Sequence, residues 1–170
     1  ECGACESECP SQAIVEAWTH EPDGGVDSLF EEITNGGLIP GGPAGGALQE
    51  AIDVMQDYRD GIVVNRGLDV VSYEAGQHLV GVGAVVDNAA ITDLFIAANR
   101  SARMGSAYGL YFAAWRGMGF GLLTHYSNVA QFNKWGSWGL KEHHCQTATP
   151  KYLQAKSFVR DNPCWWTGCE

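Results

Sequence analysis

Apolar residues recur at helical spacing in several segments of the chain. In 47–61, for example, Leu48, Ile52, Met55 and Tyr58 follow one another at intervals of four, three and three residues. This spacing predicts an amphipathic helix, which Gly61 is expected to end. The same reasoning predicts helices over 26–33, 89–104, 106–119 and 149–161. Asp87 or Asn88 can cap the third of these five helices, and Pro150 stands near the start of the last.

Two short runs lack helical periodicity and predict strands. "LDVVSYE" (68–74) is β-branched and is entered through Gly67, which is typical of a buried strand. "FGLLTHYS" (120–127) is the second run, and a Gly/Pro-rich loop covers 35–46. Strands that alternate with longer helices indicate parallel pairing through crossovers, hence the α/β class.

The first 20 residues form a cysteine-rich segment without clear periodicity, and 21–170 form the predicted α/β domain. All six cysteines lie near the two ends: Cys2, Cys5, Cys9, Cys145, Cys164 and Cys169. An even number with bunched spacing favours disulfides in an oxidising compartment, and therefore an extracellular protein. Six cysteines allow 15 pairings. Bonds between the two groups would clamp the termini together.

Charge and composition exclude some partners. The chain has 170 residues and a net charge of -10, which disfavours nucleic acid and anionic membrane surfaces. No apolar run reaches the roughly 18 residues of a membrane span. A neutral ligand remains compatible. The six Trp residues serve either as core or in part as a stacking platform for sugar rings.

Glu74 is the first candidate for chemistry, because it stands where an apolar strand ends. Ligands of α/β proteins meet the carboxyl ends of parallel strands. Gln77 and His78 follow after a glycine, and the second strand carries His125 and Tyr126 at the equivalent end. The alternative is that Glu74 forms a buried ion pair or caps a helix.

Two tryptophans strengthen the functional interpretation. In "KWGSWG", Trp135 and Trp138 are each followed by a glycine, which frees the backbone to present both rings outward. An acid beside exposed aromatic faces is the composition of a sugar site. We therefore expect the rings to stack on sugars, and Gln77, His78, His125 and Tyr126 to bind hydroxyl groups.

The segments "YEAGQHLVG", "NAAITDLFIAANRSARMGSAYGLYFAAWRGMGFGLLTHYSNVAQFNKWGSWGLKE" and "TPKY" together resemble the C-terminal part of secreted bacterial proteins labelled cellulose-binding. Those proteins are similar to the clan-A (β/α)8 glycoside hydrolases. The resemblance covers about residues 26–158 and implies a polysaccharide ligand of the β-glucan type. It also implies that Glu74 is the catalytic nucleophile at the end of strand seven, with "FGLLTHY" as strand eight.

The chain departs from that family in two respects. The family's acid/base Glu follows an Asn, and this chain contains no Asn-Glu pair; Glu31, Glu32 and Glu142 are substitutes without a fitting motif. A full barrel also takes about 250 residues. The expectation is therefore a partial barrel that binds or hydrolyses a β-glucan without a cofactor.

Two rival interpretations remain open. "CGACESECP" resembles the last three ligands of a bacterial ferredoxin motif, so that Cys2, Cys5 and Cys9 would bind an iron–sulfur cluster in an electron-transfer module. Cys145, Cys164 or Cys169 would then supply the fourth ligand, or a three-iron cluster would form. Alternatively, the open sheet edges of a partial barrel would pair with another copy and give an extracellular homo-oligomer.

Overall fold

The structure is a computed structural model that describes residues 10–169, with side chains from Ile14 onward. Six α-helices and two strands follow one another along this part of the chain. They are α1 Pro10–Trp18, α2 Val26–Thr34, α3 Gly46–Tyr58, β1 Ser72–Ala75, α4 Ala89–Arg100, α5 Ala102–Gly117, β2 Leu123–His125 and α6 Pro150–Asp161. No helix within the described residues is both long and apolar enough to cross a membrane. The predictions for Cys2, Cys5 and Cys9 lie outside the described residues.

A helix forms in each of the five segments predicted from apolar spacing, but the break between the third and the fourth helix lies at Ser101 and not at residue 105. Their caps explain where three of the helices begin. The Asn88 side chain accepts hydrogen bonds from the backbone N–H groups of Ala90 and Ile91 at the start of α4. Ser101 separates α4 from α5 and caps the latter. Thr149 caps α6, with Pro150 at its first position. Helix α1 was not predicted.

The prediction that Gly61 ends the third helix is wrong. Helix α3 is followed without a break by a π-helical turn over Arg59–Val64, and Gly61 lies inside that turn. The left-handed residue is Gly67 instead, with φ of 63°. Its N–H donates to the carbonyl oxygen of Val63, which is how a glycine commonly closes a helix.

Strands β1 and β2 pair in parallel, with α4 and α5 as the crossover between them. Ser72 pairs with Leu123 and Ala75 with His125, with an irregular register between these two points. The mixed α/β class is thus confirmed. Within residues 10–169 the sheet has two strands and forms no barrel.

The prediction of a buried strand over 68–74 is correct only in part, because β1 begins at Ser72 and the segment is not buried on both sides. Val71 and Tyr73 are 64% and 86% exposed, whereas Val70 and Leu123 pack against the core. Helices therefore cover one side of the pair, and the other side meets solvent.

Helix α5 lies at the centre of the molecule and packs mainly against α6. One core cluster joins residues from α1, α2, α4 and α5 with Leu140, and a second joins Met55, Trp115 and Phe120. Indole N–H groups bind this second cluster to the backbone: Trp115 donates to the carbonyl oxygen of Gly121 and Trp165 to that of Phe120, both at 2.8 Å. These contacts fix the entrance to β2.

Cys164 and Cys169 form a disulfide with each other, so neither of them ties the C-terminal end to the N-terminal cysteines. Cys145 is exposed and has no disulfide partner among the described residues. The predicted clamp between the termini therefore does not involve Cys164 or Cys169.

Candidate functional site

A cleft of about 240 Å³ opens beside the carboxyl end of β1. It brings together five of the residues that were predicted from the sequence to form the site: Glu74, Gln77, His78, Tyr126 and Trp138. The lining is completed by Ala75, Gly76 and Tyr111. These residues come from β1, the turn after it, α5, the end of β2 and the loop that follows β2.

Glu74 is exposed, and its carboxylate forms no ion pair or hydrogen bond with another described residue. The chain turns sharply behind it, because Gly76 adopts φ of 140°. A Cβ atom at Gly76 would lie 3.0 Å from Cε1 of His125 and 3.2 Å from the Tyr108 hydroxyl oxygen. Glycine therefore lets the end of β1 sit directly over these two rings while Glu74 faces the cleft.

Aromatic rings form an aromatic wall of the cleft. The ring centre of Trp138 lies 4.9 Å from that of His78 and 6.5 Å from that of Tyr126. Tyr126 is half exposed and Trp138 is half-buried. The cleft thus combines a free carboxylate with π-faces, which suits a ligand that has both hydroxyl groups and a C–H face.

Gly136 determines where the Trp138 ring lies. A Cβ atom at Gly136 would be 2.0 Å from Cε2 of Trp138, and its φ of 136° is strained for other residues. The indole therefore folds back over its own loop. The sequence-based prediction that glycine would let this ring point outward is wrong for Trp138.

Gln77 fastens the turn after β1 to the core and to this loop. Its backbone N–H donates to the Tyr108 hydroxyl oxygen at 3.3 Å, and its Nε2 donates to the Ser137 carbonyl oxygen at 3.1 Å. Its Oε1 accepts from the N–H of Leu79 at 2.6 Å. Gln77 is thus largely engaged with the protein, so it positions the cleft.

Lys151 completes this support from beneath and was not predicted. The side chain is fully buried, and its Nζ donates to Oδ1 of Asn99 and to the Ser137 carbonyl oxygen, both at 2.8 Å. Burial lowers the pKa of Lys151 to about 7, although the charge of Glu142 opposes this shift. Pro150 at the first helical position was the one local signal near it.

His125 lies behind the cleft. Both ring nitrogens are buried without a hydrogen-bond partner among the described residues, although the backbone of Ala75 and Trp138 acts on the ring charge. Burial, and then the charge of Lys151, lower the pKa of His125 to about 4. The ring packs edge-on against Tyr108 at 5.4 Å. Burial raises the pKa of Tyr108 to about 12.

Trp135 lies outside the cleft lining. It is 66% exposed, and the Lys134 Nζ lies 4.6 Å from its ring centre. Lys134 in turn forms an ion pair with Asp87. The sequence placed both indoles at one site, and the structure places Trp138 in the cleft and Trp135 on the surface.

The substitutes for a second catalytic acid do not line the cleft. Glu32 is buried and accepts backbone hydrogen bonds from Leu38 and Ile39 at 2.7 and 3.1 Å. Glu142 forms a two-point ion pair with Arg100. Within residues 14–169, Glu74 is the carboxylate that faces this cleft.

The described residues contain no cluster of three or more His, Cys, Asp or Glu side chains that could hold a metal ion. Comparisons of the chain with family models, with curated proteins and with solved structures find no significant match.

Proposed function

We propose that the cleft beside β1 binds a carbohydrate of the β-glucan type. The observation that carries this proposal is the position of Glu74: a carboxylate without a protein partner faces the same small cleft as the half-buried ring of Trp138. A pyranose presents hydroxyl groups around its edge and C–H groups on its face. These two surfaces complement the carboxylate and the indole.

Each residue of the cleft has a definite role in this proposal. Glu74 accepts hydrogen bonds from sugar hydroxyl groups, Trp138 stacks on the ring, and Tyr126 and His78 bind further hydroxyls at the rim. Gln77 and Lys151 hold the loop that carries Trp138, because both donate to the carbonyl oxygen of Ser137. His125 acts from behind the cleft, through its packing against Tyr108 and Gly76.

Binding is favoured over hydrolysis. A retaining glycosidase needs two carboxyl groups about 5–5.5 Å apart. One carboxylate lines the cleft in the described part of the chain, and Glu32 and Glu142 are held elsewhere by backbone N–H groups and by Arg100. Glu74 as the nucleophile of an active hydrolase remains the more specific form of the proposal.

The test is calorimetric titration with soluble β-glucan oligosaccharides. We expect Glu74→Gln to weaken binding about 10-fold, because a charged acceptor is replaced by a neutral one. Glu31→Gln, an exposed carboxylate on α2, serves as the matched control and should bind as the wild type does. Equal affinity of the wild type and the Glu74 variant would contradict the proposal. Release of reducing ends by the wild type, lost in Glu74→Gln, would assign hydrolysis.

The broader setting is part of the same proposal. The parallel β1–β2 pair, with a polar residue at the end of β1, is compatible with the last part of a (β/α)8-like barrel. The Cys164–Cys169 disulfide is compatible with an extracellular location. The iron–sulfur alternative has fewer ligands to use, because two of the three later cysteines are bonded to each other.

Self-association is a second proposal, favoured by the exposed side of the sheet. Tyr73 of β1 and Val71, which lies just before the strand, are 86% and 64% exposed there. An apolar, unpaired sheet surface invites contact with another copy. Light scattering after size-exclusion chromatography should show a dimer that Tyr73→Lys dissociates, and a monomer at every concentration would contradict it.

A further inference from the structure

A second pocket, of about 300 Å³, adjoins the carbohydrate cleft. Four residues line both spaces: Gly76, Gln77, His78 and Tyr111. The two spaces are therefore adjacent, with the short turn after β1 and Tyr111 as their common lining. A group attached to a ligand in one space can therefore reach the other space.

The two spaces differ in chemical character. Beyond the shared residues, the second pocket is lined by Leu48 and Ala51 of α3, by Met104 and Ala107 of α5 and by other apolar side chains. Within the described residues, no Asp, Glu, Lys or Arg lines it, whereas Glu74 lines the first cleft. The combined site is polar at one end and apolar at the other.

Tyr111 stands at the junction with its hydroxyl group free. The side chain is half-buried, and its hydroxyl makes no hydrogen bond with another described residue. A hydroxyl that makes no hydrogen bond within the described residues is available to a ligand. An oxygen atom that links a sugar to an apolar group would lie at this junction and could accept its hydrogen bond.

We propose that the second pocket receives the apolar aglycone of a glycoside, an aryl or alkyl group whose sugar occupies the Glu74 cleft. The volume matches the lower end of small-molecule sites, which suits one ring or a short chain. This inference rests on the proposed carbohydrate binding and adds the ligand class. The molecule then recognises amphiphilic glycosides in preference to bare sugars.

The test compares methyl β-D-glucoside with phenyl β-D-glucoside by calorimetry on the whole chain. Burial of the phenyl ring should make the second ligand bind at least about 10-fold more tightly. Ala51→Leu fills the pocket from α3 and should remove this advantage while leaving methyl glucoside affinity unchanged. Ala97→Leu, at an exposed position of α4, is the matched control and should keep the advantage.

Leu48→Ala provides an independent check that does not depend on how Ala51→Leu folds. It removes an apolar wall of the pocket and should also weaken the phenyl ligand selectively. Equal affinity for the two glucosides overturns the aglycone pocket and leaves carbohydrate binding intact. A phenyl advantage that survives both variants also overturns it. Absence of binding to either glucoside and to β-glucan oligosaccharides overturns this inference together with the proposed function.

Discussion

Nζ of Lys151 lies 2.8 Å from the carbonyl oxygen of Ser137, and this hydrogen bond joins α6 to the loop that carries Trp138. The same carbonyl oxygen accepts a hydrogen bond from Nε2 of Gln77 at 3.1 Å. Ser137 is therefore held from two sides, by a helix and by the turn after β1. The position of the aromatic wall of the cleft depends on a fully buried lysine.

That lysine makes stability depend on pH. The folded Lys151 has a pKa of about 7, whereas the unfolded side chain stays protonated up to about pH 10.5. Between these values the unfolded state binds more protons, so the free energy of unfolding rises with pH, by at most about 1.4 kcal/mol per pH unit. Lys151→Met should flatten this rise between pH 7 and 10, as measured by urea unfolding. Lys156→Met, an exposed lysine on the same helix, should keep it. An unchanged slope in Lys151→Met would show that Lys151 titrates normally.

His125 should produce a second, acidic dependence. Its folded pKa is about 4, below the ordinary value of 6.5, so the unfolded state binds more protons between these values. Stability should therefore fall as pH falls from 6.5 to 4. His125→Phe removes a ring without hydrogen-bond partners and should make the protein less sensitive to acid, as followed by thermal unfolding at pH 5 and 7. His144→Gln alters an exposed histidine and should leave the acid sensitivity in place. A larger loss of stability between pH 7 and pH 5 in His125→Phe than in the wild type would contradict the burial of His125.

Gly136→Ala should displace the Trp138 ring. The added Cβ atom would lie 2.0 Å from the ring, at a left-handed backbone position, so we expect a loss of about 1–3 kcal/mol in the free energy of unfolding. The near-ultraviolet circular dichroism of the indole should change as well. Gly117→Ala is the control, since open space surrounds that position, and it should stabilise α5 by about 0.4–1 kcal/mol. Equal effects of the two substitutions would mean that Trp138 does not pack over Gly136.

Glu32 should prove to be a structural carboxylate. Glu32→Gln weakens two hydrogen bonds from the backbone of Leu38 and Ile39 and should cost about 1–2 kcal/mol of stability. Carbohydrate affinity should not change, because Glu32 does not line the cleft. Loss of affinity with normal stability would instead make Glu32 part of the site. Guanidinium unfolding and calorimetric titration of the same variant separate these outcomes.

Local sequence signals were sufficient for much of the framework. Apolar spacing of three and four residues located the five helices, and Asn88, one of the two predicted caps, does cap α4. The parallel pairing of β1 and β2 followed from the alternation of strands and helices. The helices and the cap depend on neighbours a few residues away, and the strand pairing follows from the order of the elements along the chain.

The supporting interactions of the site could not be predicted in that way. Gln77 and Ser137 are 60 residues apart, and Lys151 and Asn99 are 52 apart, so no local pattern reports these hydrogen bonds. A lysine is usually exposed, and "PKYLQAK" gave no sign that Lys151 is buried and Lys156 exposed. The different positions of the Trp135 and Trp138 rings likewise depend on how the loop folds over Gly136.

The most direct test of the carbohydrate cleft is the paired removal of its two candidate indoles. Each variant, Trp138→Ala and Trp135→Ala, is titrated in a calorimeter with a soluble β-glucan oligosaccharide. The pair compares a ring in the cleft with a ring outside its lining. We expect a loss of affinity of about 10-fold or more for Trp138→Ala and wild-type affinity for Trp135→Ala. Equal losses in both variants, or a loss confined to Trp135→Ala, would contradict this expectation.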